Sequence, residues 1–232
     1  MSLKIKITEA PRDAMQGMKE FIPTHKKAAL LNAFLKVGFD ILDFGSFVSP
    51  HAIPQLKDTA DVISLLDLSQ TKTALMAIVG NVKGGIRAAE FSEIGYIGFP
   101  FSFSETFLKR NLNSNIDQAR KTVDELHNIC QKNNKKLLTY ISMAFGNPYE
   151  DAWSIDLILQ WAKYFENMGI EIIALSDIIG IADDELIGDV FKALQPEITK
   201  SEIALHLHTQ PHNWYKKVDA AFKNGCRRFD GV

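Results

Sequence analysis

The chain has 232 residues, 46% of them hydrophobic, and a formal net charge of -2 at pH 7. That size suits one large α/β domain, and the near-neutral balance, with no run of lysine or arginine, argues against a nucleic-acid footprint. No apolar segment reaches membrane-spanning length, no hydrophobic leader pattern opens the chain, and Cys130 and Cys226 make no disulfide framework, so the expected address is the cytoplasm.

Short β-branched or aromatic runs alternate with longer stretches of helical period. Lys4 to Ala10 reads as a first strand and Thr24 to Val37 as a helix with Thr24 placed to cap it. Strand Asp40 to Val48 and helix Ala52 to Leu66 follow, then strand Lys72 to Val79 and helix Val82 to Phe91, a helix that Gly84 and Gly85 weaken. Strand Tyr96 to Ser102 leads through a polar loop to helix Ile116 to Lys132. Next come strand Lys136 to Phe145, helix Ser154 to Asn167, strand Glu171 to Ser176 and helix Asp184 to Leu194. Strand Ile203 to His208 precedes helix Asn213 to Asn224, and an eighth strand begins at Arg227. Seven βα units and an eighth strand predict a (β/α)8, or TIM, barrel over residues 1–232 as a single domain. A doubly wound open sheet is the rival, but the first βα turn lacks a Gly-rich nucleotide fingerprint.

In such a barrel, chemistry gathers where strands end. His206 and His208 lie two residues apart at the end of a strand, so both side chains point the same way. Two neighbouring imidazoles can share one divalent metal; a strand-capping His beside a merely polar one is the plainer alternative. The end of the first strand supplies Arg12, Asp13 and, three residues on, Gln16. Asp13 would complete an O/N ligand set with His206 and His208 suited to magnesium, manganese or another divalent ion with open positions for substrate, and Arg12 would set fixed positive charge beside it. A surface Arg–Asp pair is the other reading. Asp43 falls in an apolar strand, where a carboxylate needs a partner; Arg12 is the obvious one, and an outward-facing residue hydrogen-bonded in the helical layer is the other reading. Ser46 and Ser49 flank that strand's exit as donors to a substrate carboxylate or as turn residues.

These residues carry a resemblance. Pro11-Arg12-Asp13-Ala14-Met15-Gln16 and Ser46-Phe47-Val48-Ser49-Pro50 resemble segments of the 3-hydroxy-3-methylglutaryl-CoA lyase family. So do Asn81-Val82-Lys83-Gly84, Gly146-Asn147-Pro148-Tyr149-Glu150, Ser176-Asp177 with Ile179-Gly180, and His206-Leu207-His208. The Arg-Asp and His-x-His pieces are shared by a wider group of metal-dependent barrels that includes isopropylmalate and homocitrate synthases. The resemblance implies a divalent metal, Mg2+ or Mn2+, on Asp13, His206 and His208, with Arg12 and Asp43 as catalytic residues. By position, Gln16, Ser46 and Tyr140 fall where that family contacts substrate. The implied reaction is retro-Claisen cleavage of a hydroxy-acyl-CoA to acetyl-CoA and acetoacetate, with leucine catabolism as its setting. The expected partner is an acyl-CoA or hydroxy-acid small molecule, and a homodimer is compatible with the pattern.

Departures from the family accompany the matches. Asp43 stands where a glutamate is usual, which puts its reach to Arg12 in question, and Ile178 replaces a hydroxyl-bearing residue. Thr209-Gln210-Pro211 replaces the usual residues after the second histidine, and the chain stops at Val232, before the family's Gly-rich segment with an asparagine ligand and a loop cysteine. A chain shortened at its C-terminus is the expectation. The alternatives are a related metal-dependent aldolase or synthase acting on another hydroxy acid, and a non-catalytic metal-binding barrel. Phe99, Phe101 and Phe103 read as packing rather than ligand stacking, and Lys83, Lys109 and Arg110 as solvated cations or contacts for CoA phosphates.

Overall fold

A computed structural model describes residues 4–231, so residues 1–3 and 232 of the expected domain lie outside the described residues. Among the described residues eight parallel strands close into a barrel in sequence order. They are β1 (Lys6–Glu9), β2 (Ile41–Ser46), β3 (Ala74–Ile78), β4 (Ile94–Ser102), β5 (Lys136–Ser142), β6 (Ile172–Asp177), β7 (Glu202–Leu207) and β8 (Arg228–Gly231). The helices are α1 (Pro11–Gln16), α2 (Thr24–Leu35), α3 (Thr59–Ile63), α4 (Val82–Ala89), α5 (Glu105–Leu112), α6 (Ile116–Lys132), α7 (Ile155–Asn167), α8 (Asp184–Leu194) and α9 (Trp214–Lys223). β8 pairs with β1 from Lys6↔Arg228 to Glu9↔Gly231 and so closes the ring. The (β/α)8 class read from the alternation is therefore the class observed. No helix is long and apolar enough to cross a membrane among the described residues.

The strands read as near-continuous apolar runs because both of their faces are covered. Every residue of β2 and β6 is buried. One set of side chains, including Ile41, Met76, Ile78, Leu138, Tyr140, Ile172 and Ala204, fills the barrel interior. The opposite set packs under the helices, where Phe101 meets Trp161 and Phe165 of α7 at ring-centre distances of 4.5 and 5.1 Å. Phe99, Phe101 and Phe103 are all buried, as packing residues should be. Helix starts are fixed by side-chain acceptors: Asn81, Ser104, Asn115, Ser154 and Asp183 each accept from a backbone N–H one turn into the helix.

Four local expectations change. Thr24 is not a cap: it lies inside α2 after Pro23, and its hydroxyl donates to Asp58 at 2.8 Å. The helix expected over 52–66 divides into a single 3-10 turn, Pro54–Leu56, and the short α3, because Pro54 cannot extend a preceding helical ladder. The polar loop after β4 contains α5, which buries Phe107 and Leu108 on one face. The segment after β1 forms α1, where no helix was expected, with Pro11 at its first position, where a missing N–H costs nothing.

Gly84 and Gly85 do not break α4; they let it lie close. A Cβ on Gly84 would sit 2.6 Å from the Phe47 carbonyl oxygen, which is backbone and cannot swing away. Gly84→Ala is therefore expected to lower stability by about 1–3 kcal/mol, in line with overpacking elsewhere. An unchanged urea midpoint would show that α4 can move outward freely.

Candidate active site

The site is built at the C-terminal ends of β1, β2, β5, β7 and β8. α1 begins one residue after β1 and carries Arg12 and Gln16 one turn apart on one face. The Arg12 guanidinium is almost fully occupied. Its Nε–H donates to both Asp43 oxygens at 3.2 and 3.0 Å, and Nη2 donates to Asp43 Oδ2 at 2.7 Å. Nη1 donates to Asp13 Oδ1 and to Gln16 Oε1, each at 3.0 Å. Of the five N–H donors of an arginine, one on Nη2 is left over. Asp43 thus reaches Arg12 with both oxygens despite being one methylene shorter than glutamate.

A bulge in β2 explains why Asp43 and Ser46 both face the interior. Asp43 is in register with Met76 and Ser46 with Ile78, the alternation being reset between Asp43 and Gly45. Gly45 points the other way, where a Cβ would lie 2.6 Å from Thr59. The Ser46 hydroxyl is engaged with backbone, donating to the Ile78 carbonyl at 3.0 Å and accepting from Val48 N at 3.3 Å. Ser46 accordingly braces the end of β2 through backbone.

Asp13 divides its oxygens. While Oδ1 accepts from Arg12, Oδ2 lies 3.4 Å from His206 Nε2 and 3.3 Å from His208 Nε2. The three side chains can bring ligand atoms within 4.8 Å of one another. One carboxylate oxygen and two imidazole nitrogens are a donor set that suits a hard or borderline divalent ion. The His208 side chain is 48% exposed, so the set opens toward solvent rather than closing around its centre. On its other side, the His206 ring meets Tyr140 edge-on at 5.5 Å.

Asp230 was not among the residues singled out from sequence, yet it belongs here. It projects from β8 with its side chain only 3% exposed, and its Oδ2 is 3.0 Å from His206 Nδ1. The available signal was parity: Asp230 lies two residues beyond Arg228, on the same face of a strand beside β7. Asp177, at the end of β6, accepts from the backbone N–H groups of Gly180, Ile181 and Ala182 and so shapes the loop under His208.

The electrostatics follow from this packing. Burial alone would raise the Asp13 carboxyl, but hydrogen bonds from His206 and His208 and the charge of Arg12 hold it far below the usual range. Burial pushes Asp43 up to about 6, against the opposing pull of Arg12, which leaves it ionised at neutral pH. Burial and the nearby Asp230 and Asp43 charges raise the Tyr140 phenol, which therefore stays a neutral donor. Burial works against a proton on His206, yet the flanking Asp13 and Asp230 carboxylates carry its pKa up to about 9. A raised folded-state value means the contribution is fully present below about pH 6.5 and is lost as pH rises through 9. The metal-free chain is thus expected to show a falling melting temperature from pH 7 to 10 that His206→Gln abolishes; a flat profile would contradict the contact.

Two depressions meet at Asp13, His206 and His208. One, of about 330 Å3, is lined by Arg12, Gln16, Tyr140, Ser142 and Ser176. The other, of about 910 Å3, opens across the ends of β6, β7 and β8 toward Trp214. Ile178 lines both. Lys109 and Arg110 stand apart: Lys109 donates to Asn113, and Arg110 lies over the Tyr149 ring. Cys130 and Cys226 are buried, and burial pushes both thiols up to about 12, which suits structural roles.

Fold and side chains together define a (β/α)8 barrel with a carboxylate-and-imidazole set, able to hold a divalent ion, at its C-terminal mouth. The chain belongs to the HMGL-like family, whose model matches residues 4–232. It is 30% identical over 229 residues to the hydroxymethylglutaryl-CoA lyase YngG of Bacillus subtilis, covering 98% of this chain and 76% of that protein. To the mitochondrial hydroxymethylglutaryl-CoA lyase of Homo sapiens it is 29% identical over 208 residues, covering 88% of this chain but 63% of the human protein. Among solved structures, an HMG-CoA lyase from Acinetobacter baumannii in complex with coenzyme A and 3-methylmalate superposes with a TM-score of 0.92. The sequence identity there is 27%, over 100% of this chain and 75% of that one.

Proposed function

We propose that this chain is a divalent-metal-dependent carbon–carbon lyase that cleaves 3-hydroxy-3-methylglutaryl-CoA to acetyl-CoA and acetoacetate. The observation that carries this reading is the Asp13 carboxylate, with one oxygen on Arg12 and the other facing two imidazole nitrogens beside a small cavity. The activity named for the relatives supports it. In this reading Asp13, His206 and His208 hold Mg2+ or Mn2+, and residues 1–232 act as one catalytic barrel. A divalent ion bound there supplies Lewis acidity that makes the substrate's tertiary hydroxyl easier to deprotonate.

The chain's own groups do the rest. Once the hydroxyl proton is lost, the oxygen's electrons form the ketone of acetoacetate, and those of the breaking carbon–carbon bond pass into the thioester as an enolate. Return of one proton to the enolate carbon gives acetyl-CoA and balances the one taken from the hydroxyl. Arg12, locked by Asp43, directs its remaining N–H at the oxygen where this charge develops, and a fixed donor there costs no reorganisation. Tyr140 and Gln16 contact the substrate, with Ser46 bracing the end of β2 behind them. The substrate is a soluble thioester, the proposed address is the cytoplasm, and the proposed assembly is a homodimer.

A second reading, a related lyase or synthase acting on another hydroxy acid, is favoured by Ile178, which brings an apolar side chain to the site wall. One assay separates the two. Acetoacetate release from 3-hydroxy-3-methylglutaryl-CoA, dependent on Mn2+ and stopped by excess chelator, is the expected result. Stoichiometric Mn2+ binding without release would transfer the case to the second reading.

A further inference from the structure

His206 is held differently from His208. Its ring is buried between two carboxylates, with Nδ1 3.0 Å from Asp230 Oδ2 and Nε2 3.4 Å from Asp13 Oδ2. His208 is half exposed, and its contact with Asp13 is made through Nε2. The Asp230 side chain is 3% exposed, and a carboxylate placed there without a hydrogen-bond donor would carry a heavy desolvation penalty. The strands leave it little choice of direction, because β8 is paired on both sides, with β1 through Thr8↔Asp230 and with β7 through Ala204↔Arg228.

We propose that Asp230 is a positioning residue of the metal site, fixing His206 with its proton on Nδ1 and its Nε2 lone pair presented beside Asp13 and His208. The inference rests on the metal-binding reading given above. An ionised carboxylate can only accept, so each imidazole nitrogen facing one carries a proton in the metal-free chain. A cation bound between Nε2 and Asp13 displaces the proton there and leaves the one on Nδ1, 3.0 Å from Asp230. Neutral imidazole carries one N–H, and committing it to Nδ1 leaves Nε2 as the ligand atom. A histidine anchored through its far nitrogen to a carboxylate is a more basic and better oriented ligand than a free one, and losing such an anchor typically weakens metal affinity about 10–100-fold. Edge-on contact with Tyr140 limits the remaining freedom of the ring. His206 is thus the pre-set arm of the site and His208 the adjustable one.

The test is Mn2+ titration of the full chain, unmodified and as Asp230→Ala, Asp230→Asn and His206→Ala. The expected order of affinity is unmodified, then Asp230→Asn, then Asp230→Ala weakened roughly 10–100-fold, with His206→Ala lowest. Asparagine ranks above alanine because its amide oxygen still accepts from Nδ1–H. With Mg2+ bound, the His206 ring 15N signals should report a protonated Nδ1 in the unmodified chain and a mixed or mobile ring in Asp230→Ala. That change is one a purely structural role of Asp230 would not produce. Asp230→Ala binding Mn2+ within twofold of the unmodified chain, while His206→Ala does not bind, would overturn this inference alone. No Mn2+ binding by the unmodified chain would overturn both it and the metal-site reading.

Discussion

Asp13→Ala is expected to reduce Mn2+ affinity by at least on the order of a hundredfold, since losing a ligand outweighs losing an outer-shell anchor. Asp13 supplies the negative charge that faces the two imidazoles, and without it the cation would meet two neutral nitrogens with Arg12 close by. Its carboxyl lies far below the ordinary range in the folded chain, so it is ionised and available at any working pH. The barrel should survive the change. Asp13 sits in the first turn of α1 with its side chain 22% exposed, and alanine is a good helix former. Arg12 keeps its hold on Asp43 through Nε and Nη2, so the variant isolates the ligand role. Calorimetric titration reads the effect directly, and Mn2+ affinity within tenfold of the unmodified chain would remove Asp13 from the ligand set.

The barrel was legible because its signal is redundant. Each strand announces itself by a β-rich run and each large helix by its period, and chain-order closure then follows from the βα alternation alone. The Arg12, Asp13, His206 and His208 constellation was legible for a related reason: residues at strand ends converge in any closed barrel. What escaped was short or depended on neighbours. Six residues, Pro11 to Gln16, carry too little period to announce a helix, yet α1 is what turns Arg12 inward onto Asp43. The β2 bulge that aims Asp43 and Ser46 to the same side leaves no mark beyond Gly45, whose meaning depends on Thr59 across the helix layer. Asp230 lies in a four-residue strand at the chain's end, where alternation is too brief to assign a face, and only pairing with β1 and β7 decides it. The reach of Asp43 was likewise a question of backbone placement, since one methylene matters only when the distance between strands is known.

Arg12→Gln should leave Mn2+ affinity within a few-fold of the unmodified chain while turnover falls by roughly 10²–10³, the usual effect of losing one fixed donor to a developing oxyanion. The substitution also removes the partner of a fully buried carboxylate, and breaking such a pair costs about 3–5 kcal/mol. Lost turnover could then be mistaken for lost fold. Asp43 is already pushed up to about 6 by burial with Arg12 present, so without Arg12 it will take up a proton at neutral pH, which softens the penalty. The double variant Arg12→Gln/Asp43→Asn removes both charges together and leaves two amides able to pair, so it should regain much of the stability without regaining turnover. Arg12→Lys should fail as well, because an ammonium cannot hold Asp43 through two nitrogens while also reaching Asp13 and Gln16. The decisive comparison is turnover against melting temperature across these three chains. Turnover returning with stability in the double variant would make Arg12 a structural residue; turnover remaining low in a chain that is folded and binds Mn2+ would assign it to the chemistry.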